Sequence, residues 1–329
     1  MEAVPKRFSR RRVLTGTLIL IGIGILCVVI ATRSTHRRNA RPEQSKTEVS
    51  PIPPSTFASL PLAPSSNQIA DRVHLLGNDL PEEEQQALIN WMLNRPLPGL
   101  APSSWHWVVN EVMDVLCRQN VRSSRLTAAL AGLANSQDND IVLRDYAIQH
   151  LATLLEEAGA NRIAVLTQQE EKCSLQALIG AAGKVEGSTA GTALQGLHRG
   201  LASYSAASRE MLGGIDLADL IQQLRTLAFQ LIRSERANPL ACITALHVCA
   251  QREFDEVLTE ARSMALDREL STSVRLSAIG VLGLRGGKED RQLLADVVKE
   301  ASPRLSVAVK GAALRINKRE LINTNVIRK

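Results

Sequence analysis

The sequence predicts an all-α protein: an α-solenoid of stacked helical hairpins, preceded by one transmembrane helix. Three observations carry this. Apolar residues make up 45% of the 329 residues but aromatics only 3%. Such a core is built from Leu, Ala, Ile and Val, and it suits closely packed helices better than a sandwich, whose strands favour aromatic and β-branched residues. From residue 67 onward apolar positions recur at helical spacing and nothing reads as a strand. Near the N-terminus, twenty consecutive residues carry no charge.

Residues 1–12 form a basic arm ending in Arg10, Arg11 and Arg12. The uncharged run "VLTGTLILIGIGILCVVIAT", residues 13–32, is long enough to span the hydrocarbon of a bilayer. It ends in "CVVIATRS" without a small-x-small cleavage site, so it reads as an uncleaved signal anchor. "SRRRVL", residues 9–14, also fits a twin-arginine export signature, an alternative that the sequence leaves open. Five basic residues precede the run and five follow it within 33–46, so charge alone does not orient it. A short basic start followed by a long domain points to a cytoplasmic N-terminus and an extracytoplasmic body. Residues 33–66 are a basic, then Pro/Ser-rich linker, with six prolines between 42 and 64. Residues 67–329 are the helical repeat domain.

Within that domain the elements follow from caps and periodicity. "DLPEEEQQALINWMLNR" places Asp79 as N-cap, Pro81 in the first turn and Glu82 at N3. "SSWHWVVNEVMDVLCRQ" aligns Trp105, Val108, Val109, Val112, Val115 and Leu116 on one face. "DIVLRDYAIQHLATLLEE", "LADLIQQLRTLAFQLIRSE" and "EFDEVLTEARSMALD" keep the same period. One pattern recurs, an apolar residue followed by two more at steps of four. It occurs as Leu143/Ala147/Leu151, Ala193/Leu197/Leu201, Ala241/Ala245/Cys249, Val274/Ala278/Leu282 and Leu305/Val309/Ala313. The first members lie 50, 48, 33 and 31 residues apart. The last two intervals fit one hairpin each, and the longer ones leave room for an extra helix or long loops. Asn238-Pro239 and Ser302-Pro303 are each a cap followed by proline at the first helical position.

"STSVRLSAIGVLGLRGGKEDRQLLADVVKEASPRLSVAVKGAAL" resembles HEAT repeats, in particular the short type of phycobilisome-lyase-like proteins. Val274, Arg275, Ala278, Leu282 and Gly283 match the V-R-x-x-A-x-x-x-L-G consensus. Arg144, Ala147 and Leu151 echo it. The resemblance is clearest over residues 238–316 and fair over 138–157; over 67–137 and 158–235 it is weak. It implies a fold and carries no catalytic residue. On this reading Ala278 and Gly280 let neighbouring helices approach closely. Gly286-Gly287 ends the helix with positive φ. Arg315, Lys318, Arg319, Arg328 and Lys329 form a polar cap on the last repeat or, alternatively, a phosphate- or headgroup-binding tail.

The net charge of +6 is unevenly distributed. Residues 1–46 carry +8 and the rest of the chain −2, with −8 over residues 47–301. A nucleic-acid-binding domain would show its positive stripe on the folded part, so no specific nucleic-acid partner is expected. Beyond Cys27 the cysteines are Cys117, Cys173, Cys242 and Cys249, without a CxxC pair, and they read as small buried hydrophobes. The six histidines form no HExxH or other metal spacing. "GAAGKVEGST", residues 180–189, fails as a phosphate loop, and no G-x-S-x-G occurs. Acidic pairs and runs at 82–84, 156–157 and 170–171 read as solvated helix faces. "WHW", residues 105–107, is core packing or a partner contact. No catalytic, cofactor-binding or metal residue is assigned, and neither a cofactor nor a small-molecule substrate is expected. The expected function is a non-catalytic, membrane-tethered scaffold for protein partners, held through residues 13–32. The alternative, implied only by the HEAT subtype, is a lyase or chaperone acting on a bound pigment or client protein.

Overall fold

The computed structural model describes residues 65–93, 100–162, 166–207, 209–299 and 302–327, with side chains as far as 322. All of them lie in one unit, Pro51–Lys329. The basic arm, the candidate anchor at 13–32 and most of the linker fall outside the described residues. Among the described residues no helix is long and apolar enough to cross a membrane.

The described fold is all-α, with thirteen helices. They are α1 (Ser66–His74), α2 (Glu82–Leu93), α3 (Pro102–Cys117), α4 (Leu126–Asn135), α5 (Ile141–Gly159), α6 (Gln168–Ala182) and α7 (Ala190–Ala206). After them come α8 (Leu217–Arg233), α9 (Pro239–Gln251), α10 (Val257–Leu266), α11 (Thr272–Arg285), α12 (Asp290–Lys299) and α13 (Pro303–Ile327). Local chemistry fixes many of the starts. Ser65 and Thr167 form capping boxes with Gln68 and Glu170. Asp140, Asp216 and Asn238 each accept a hydrogen bond from the amide two residues on, satisfying a donor the helix itself leaves unpaired. α2 departs from expectation. It begins at Glu82, and Asp79 is not its cap; the Asp79 carboxylate accepts from the Asn120 side chain at 2.8 Å instead.

The helices pack in two series. Each odd-numbered helix rests on the next odd one, from α1 through α13. The even-numbered helices do the same from α2 to α6 and from α8 to α12, and each even helix also packs on the odd helix that follows it. Between α6 and α8 stands a feature absent from the sequence reading. It is an antiparallel hairpin, β1 (Met211–Leu212) and β2 (Ile215–Asp216), with Met211 opposite Asp216 and Leu212 opposite Ile215. Its turn residues Gly213 and Gly214 have φ of 62° and 80°, which glycine adopts without steric cost. β1 touches α6 and β2 touches α8. The longer intervals in the repeat therefore hold this hairpin, longer helices and their loops, with no extra helix among the described residues.

All five repeated triplets fall on the odd series, on α5, α7, α9, α11 and α13. Four are buried throughout. On α13 Leu305 and Val309 are buried, but the stripe continues through Ala312 and Ile316, and Ala313 is only half-buried. A step of four advances the helix 40° beyond a full turn, so a repeated +4 pattern drifts off the face until a +3 step restores it. Small residues sit where helices approach most closely. A Cβ on Gly196 of α7 would stand 2.5 Å from the Ala152 methyl of α5. One on Gly283 of α11 would meet the Ala312 Cα of α13 at 2.9 Å. Gly280, in contrast, has nothing within 4 Å of such an atom. It lies two residues from Ala278, hence about 200° round the helix. The positive φ expected at Gly286-Gly287 is also absent. Gly286 has φ −64° and ψ 160°, and a Cβ there would strike the Asp290 carboxylate at 2.5 Å.

Candidate functional site

A helix that buries one stripe leaves the opposite stripe to solvent. On the odd series these outward stripes are joined by polar contacts from one helix to the next. His74 of α1 meets Glu111 of α3 at 2.7 Å. Asn110 of α3 meets His150 of α5 at 3.1 Å. Asp145 of α5 faces Thr192 of α7, and Glu156 of α5 pairs with Arg199 of α7 at 3.1 Å. Beyond α9, Arg252 reaches back to α7, donating from Nε to His198 Nδ1 at 2.9 Å and from Nη2 to the His198 carbonyl at 2.8 Å.

Burial sets the protonation of this seam. It lowers the pKa of His150, although Asp114 and Glu111 pull the other way. Burial, with the nearby Arg252 charge second, lowers His198 to about 4. The lowered pKa of His198 agrees with its Nδ1 accepting from Arg252, and burial favours the neutral form of His150. Burial raises the Asp145 carboxyl. Along α3 and α5 the outward charge is chiefly acidic, from Glu111, Asp114, Asp145, Glu156 and Glu157. Trp107 is 37% exposed in the same stripe. "WHW" thus divides: Trp105 is core, its ring 4.8 Å from that of Trp91, and Trp107 faces outward. The arrangement can hydrogen-bond and bury a partner's surface.

Other clusters are structural. Glu171, expected in solvent, is buried. One of its carboxylate oxygens accepts from the Tyr204 hydroxyl at 2.6 Å and the other from the Gly213 amide at 2.8 Å. It pins the β-hairpin to α6 and α7. The clue was "GG" between apolar residues at 212–215, a tight-turn signal. Asp290 is 1% exposed and accepts both Nε and Nη2 of Arg262, at 2.6 and 3.1 Å, and the Gly287 amide at 2.9 Å. Arg275, the arginine of the repeat consensus, donates through Nε and Nη2 to the Ala265 carbonyl at the end of α10. Arg319 donates to the Gly286 carbonyl at 2.5 Å, so it ties α13 to α11; Arg315 and Lys318 are exposed, and Arg328 and Lys329 lie outside the described residues. Cys117, Cys242 and Cys249 are buried and Cys173 half-buried, all as free thiols; burial pushes Cys242 to about 11 and Cys249 to about 12. Among the described residues no group of three or more His, Cys, Asp or Glu could hold a metal ion.

No family model matches this chain, and no curated protein matches it either.

Proposed function

We propose that this protein is a non-catalytic scaffold, tethered to a membrane through residues 13–32, whose HEAT-like solenoid binds protein partners along its odd-numbered helices. The observation that carries the reading is the packing of every odd helix on the next, with a stripe of Trp107 and acidic side chains facing outward. Stacked repeats of this kind present extended surfaces because each unit buries its apolar face only against its neighbours. The acidic balance of the body favours a protein surface over a nucleic acid, whose binding depends on clustered cations.

Site-specific photo-crosslinking in native membranes tests the partner. A crosslinker at Trp107 or Gln149, on the outward stripe, is expected to capture one defined protein, and one at Arg268, beyond α10 of the even series, is expected not to. Equal capture from both positions, or none from either, contradicts the scaffold reading. A pigment retained by the purified chain would favour the lyase-like alternative. Carbonate extraction tests the tether, since release of the full-length chain from membranes contradicts it.

A further inference from the structure

The last helix has a second face that packing does not use. α13 buries Leu305, Val309, Ala312 and Ile316. On the opposite side Val307, Leu314 and Leu321 are 72%, 68% and 66% exposed. Their spacing of seven residues holds them within about 40° of one line along the helix. Arg304, Lys310 and Lys318 are exposed around this line. The only acidic residue of the helix, Glu320, points elsewhere and pairs with Arg291 at 3.3 Å.

We infer that this face of α13 lies on an anionic lipid surface. Three features select that occupant. An apolar line flanked by cations is the pattern of a helix lying in a membrane interface, where Lys and Arg keep their stems on the apolar side and their charges among the headgroups. Anionic headgroups supply the charge complementary to Arg304, Lys310 and Lys318. A coiled-coil partner or a second copy fits less well. A coiled-coil seam needs two apolar positions per heptad, and here the second position is held by Lys310 and by Asn317, which is engaged by Arg291 at 3.0 Å. Two copies would also bring like charges together. The inference is independent of the scaffold reading.

The test uses the full chain on vesicles of phosphatidylcholine alone and of phosphatidylcholine mixed with phosphatidylglycerol. Lysine acylation is resolved residue by residue by mass spectrometry. On the mixed vesicles Lys310 and Lys318 are expected to react several-fold more slowly than on the neutral ones, with Lys288 and Lys299 unchanged. The triple substitution Val307→Ser, Leu314→Ser, Leu321→Ser is expected to abolish that difference while leaving the unfolding midpoint in place. Equal reactivity on both compositions overturns the inference. So does protection that is the same without anionic lipid and grows with protein concentration, which identifies a protein partner or a second copy. Failure of the tether at 13–32 is read separately, by flotation: the chain then leaves the neutral vesicles, and the reactivity of Lys310 with mixed vesicles added still reports the lipid contact.

Discussion

The odd and even series of helices are made of similar residues but are held together differently. Along the odd series the contacts are close and mostly apolar, and small residues set the distance: Gly196 against Ala152, and Gly283 against Ala312. The even series is joined more loosely. It is interrupted between α6 and α8, where the β-hairpin is pinned by Glu171. Arginine bridges both series, from Arg233 to Glu260, Arg225 to Glu256 and Arg262 to the buried Asp290 in the even one, and from Arg199 to Glu156 and Arg285 to Glu253 and Asp255 in the odd one, so the ion pairs do not distinguish them. Exposed ion pairs contribute little net stability, because solvent screens them and ordering long side chains costs entropy. The difference teaches that the body is stabilised chiefly along one series, and that the other can vary in spacing and accept an insertion.

The largest test of this contrast places a charge in each series. Ala278→Glu on α11 puts a carboxylate at a fully buried position without a partner, and should cost several kcal/mol. Leu266→Glu, at the half-exposed end of α10, should change stability by no more than about 0.5 kcal/mol. Urea unfolding measures both, and similar shifts would erase the distinction. Next in size is Asp290→Ala. It removes a buried carboxylate with three donors, and because Arg262 retains access to water the loss should be about 2 kcal/mol. A loss much below that would mean the pair is no stronger than a surface contact.

A pH titration gives an effect of the same order. The folded pKa of His198, about 4, lies below its ordinary 6.5. Between those values the unfolded chain binds the extra proton, so stability is level above pH 6.5 and falls as pH drops towards 4. His150 contributes in the same direction. The loss attributable to His198 should be about 3 kcal/mol, and His198→Gln should flatten the melting-temperature profile over this window. An unchanged profile in that variant would exclude His198 as its source.

The helical class and the repeated stripe were legible because burial imposes a period that side-chain chemistry records. Leu143, Ala193, Ala241 and Val274 each mark the buried face of an odd helix, and the proline-bearing starts of α9 and α13 also stand where expected. Which small residue makes the close approach was not legible. Gly280 and Gly283 differ only in angle round one helix, and the position of α13 is a tertiary fact. Glu171 was misread for the same reason. Its burial depends on Tyr204 and Gly213, 33 and 42 residues further on, and an isolated "EE" on a helix carries no sign of them. Asp79 lost its capping role to a contact with Asn120, 41 residues away. The outward polar stripe was unreadable as a site, because each of its bridges joins helices separated by another helix in sequence.

The central claim, that close approach of the odd helices holds the body together, is tested most directly by two identical substitutions on one helix, three residues apart. Gly280→Ala adds a methyl group into open space and replaces a poor helix former, so it should raise the urea midpoint, by about 0.5–1 kcal/mol in stability. Gly283→Ala gains the same propensity but drives its methyl into the backbone of α13, 2.9 Å from the Ala312 Cα, and should lower the midpoint, with a net loss of about 1–3 kcal/mol. Opposite signs are the predicted result. Two stabilising substitutions of equal size would contradict the account.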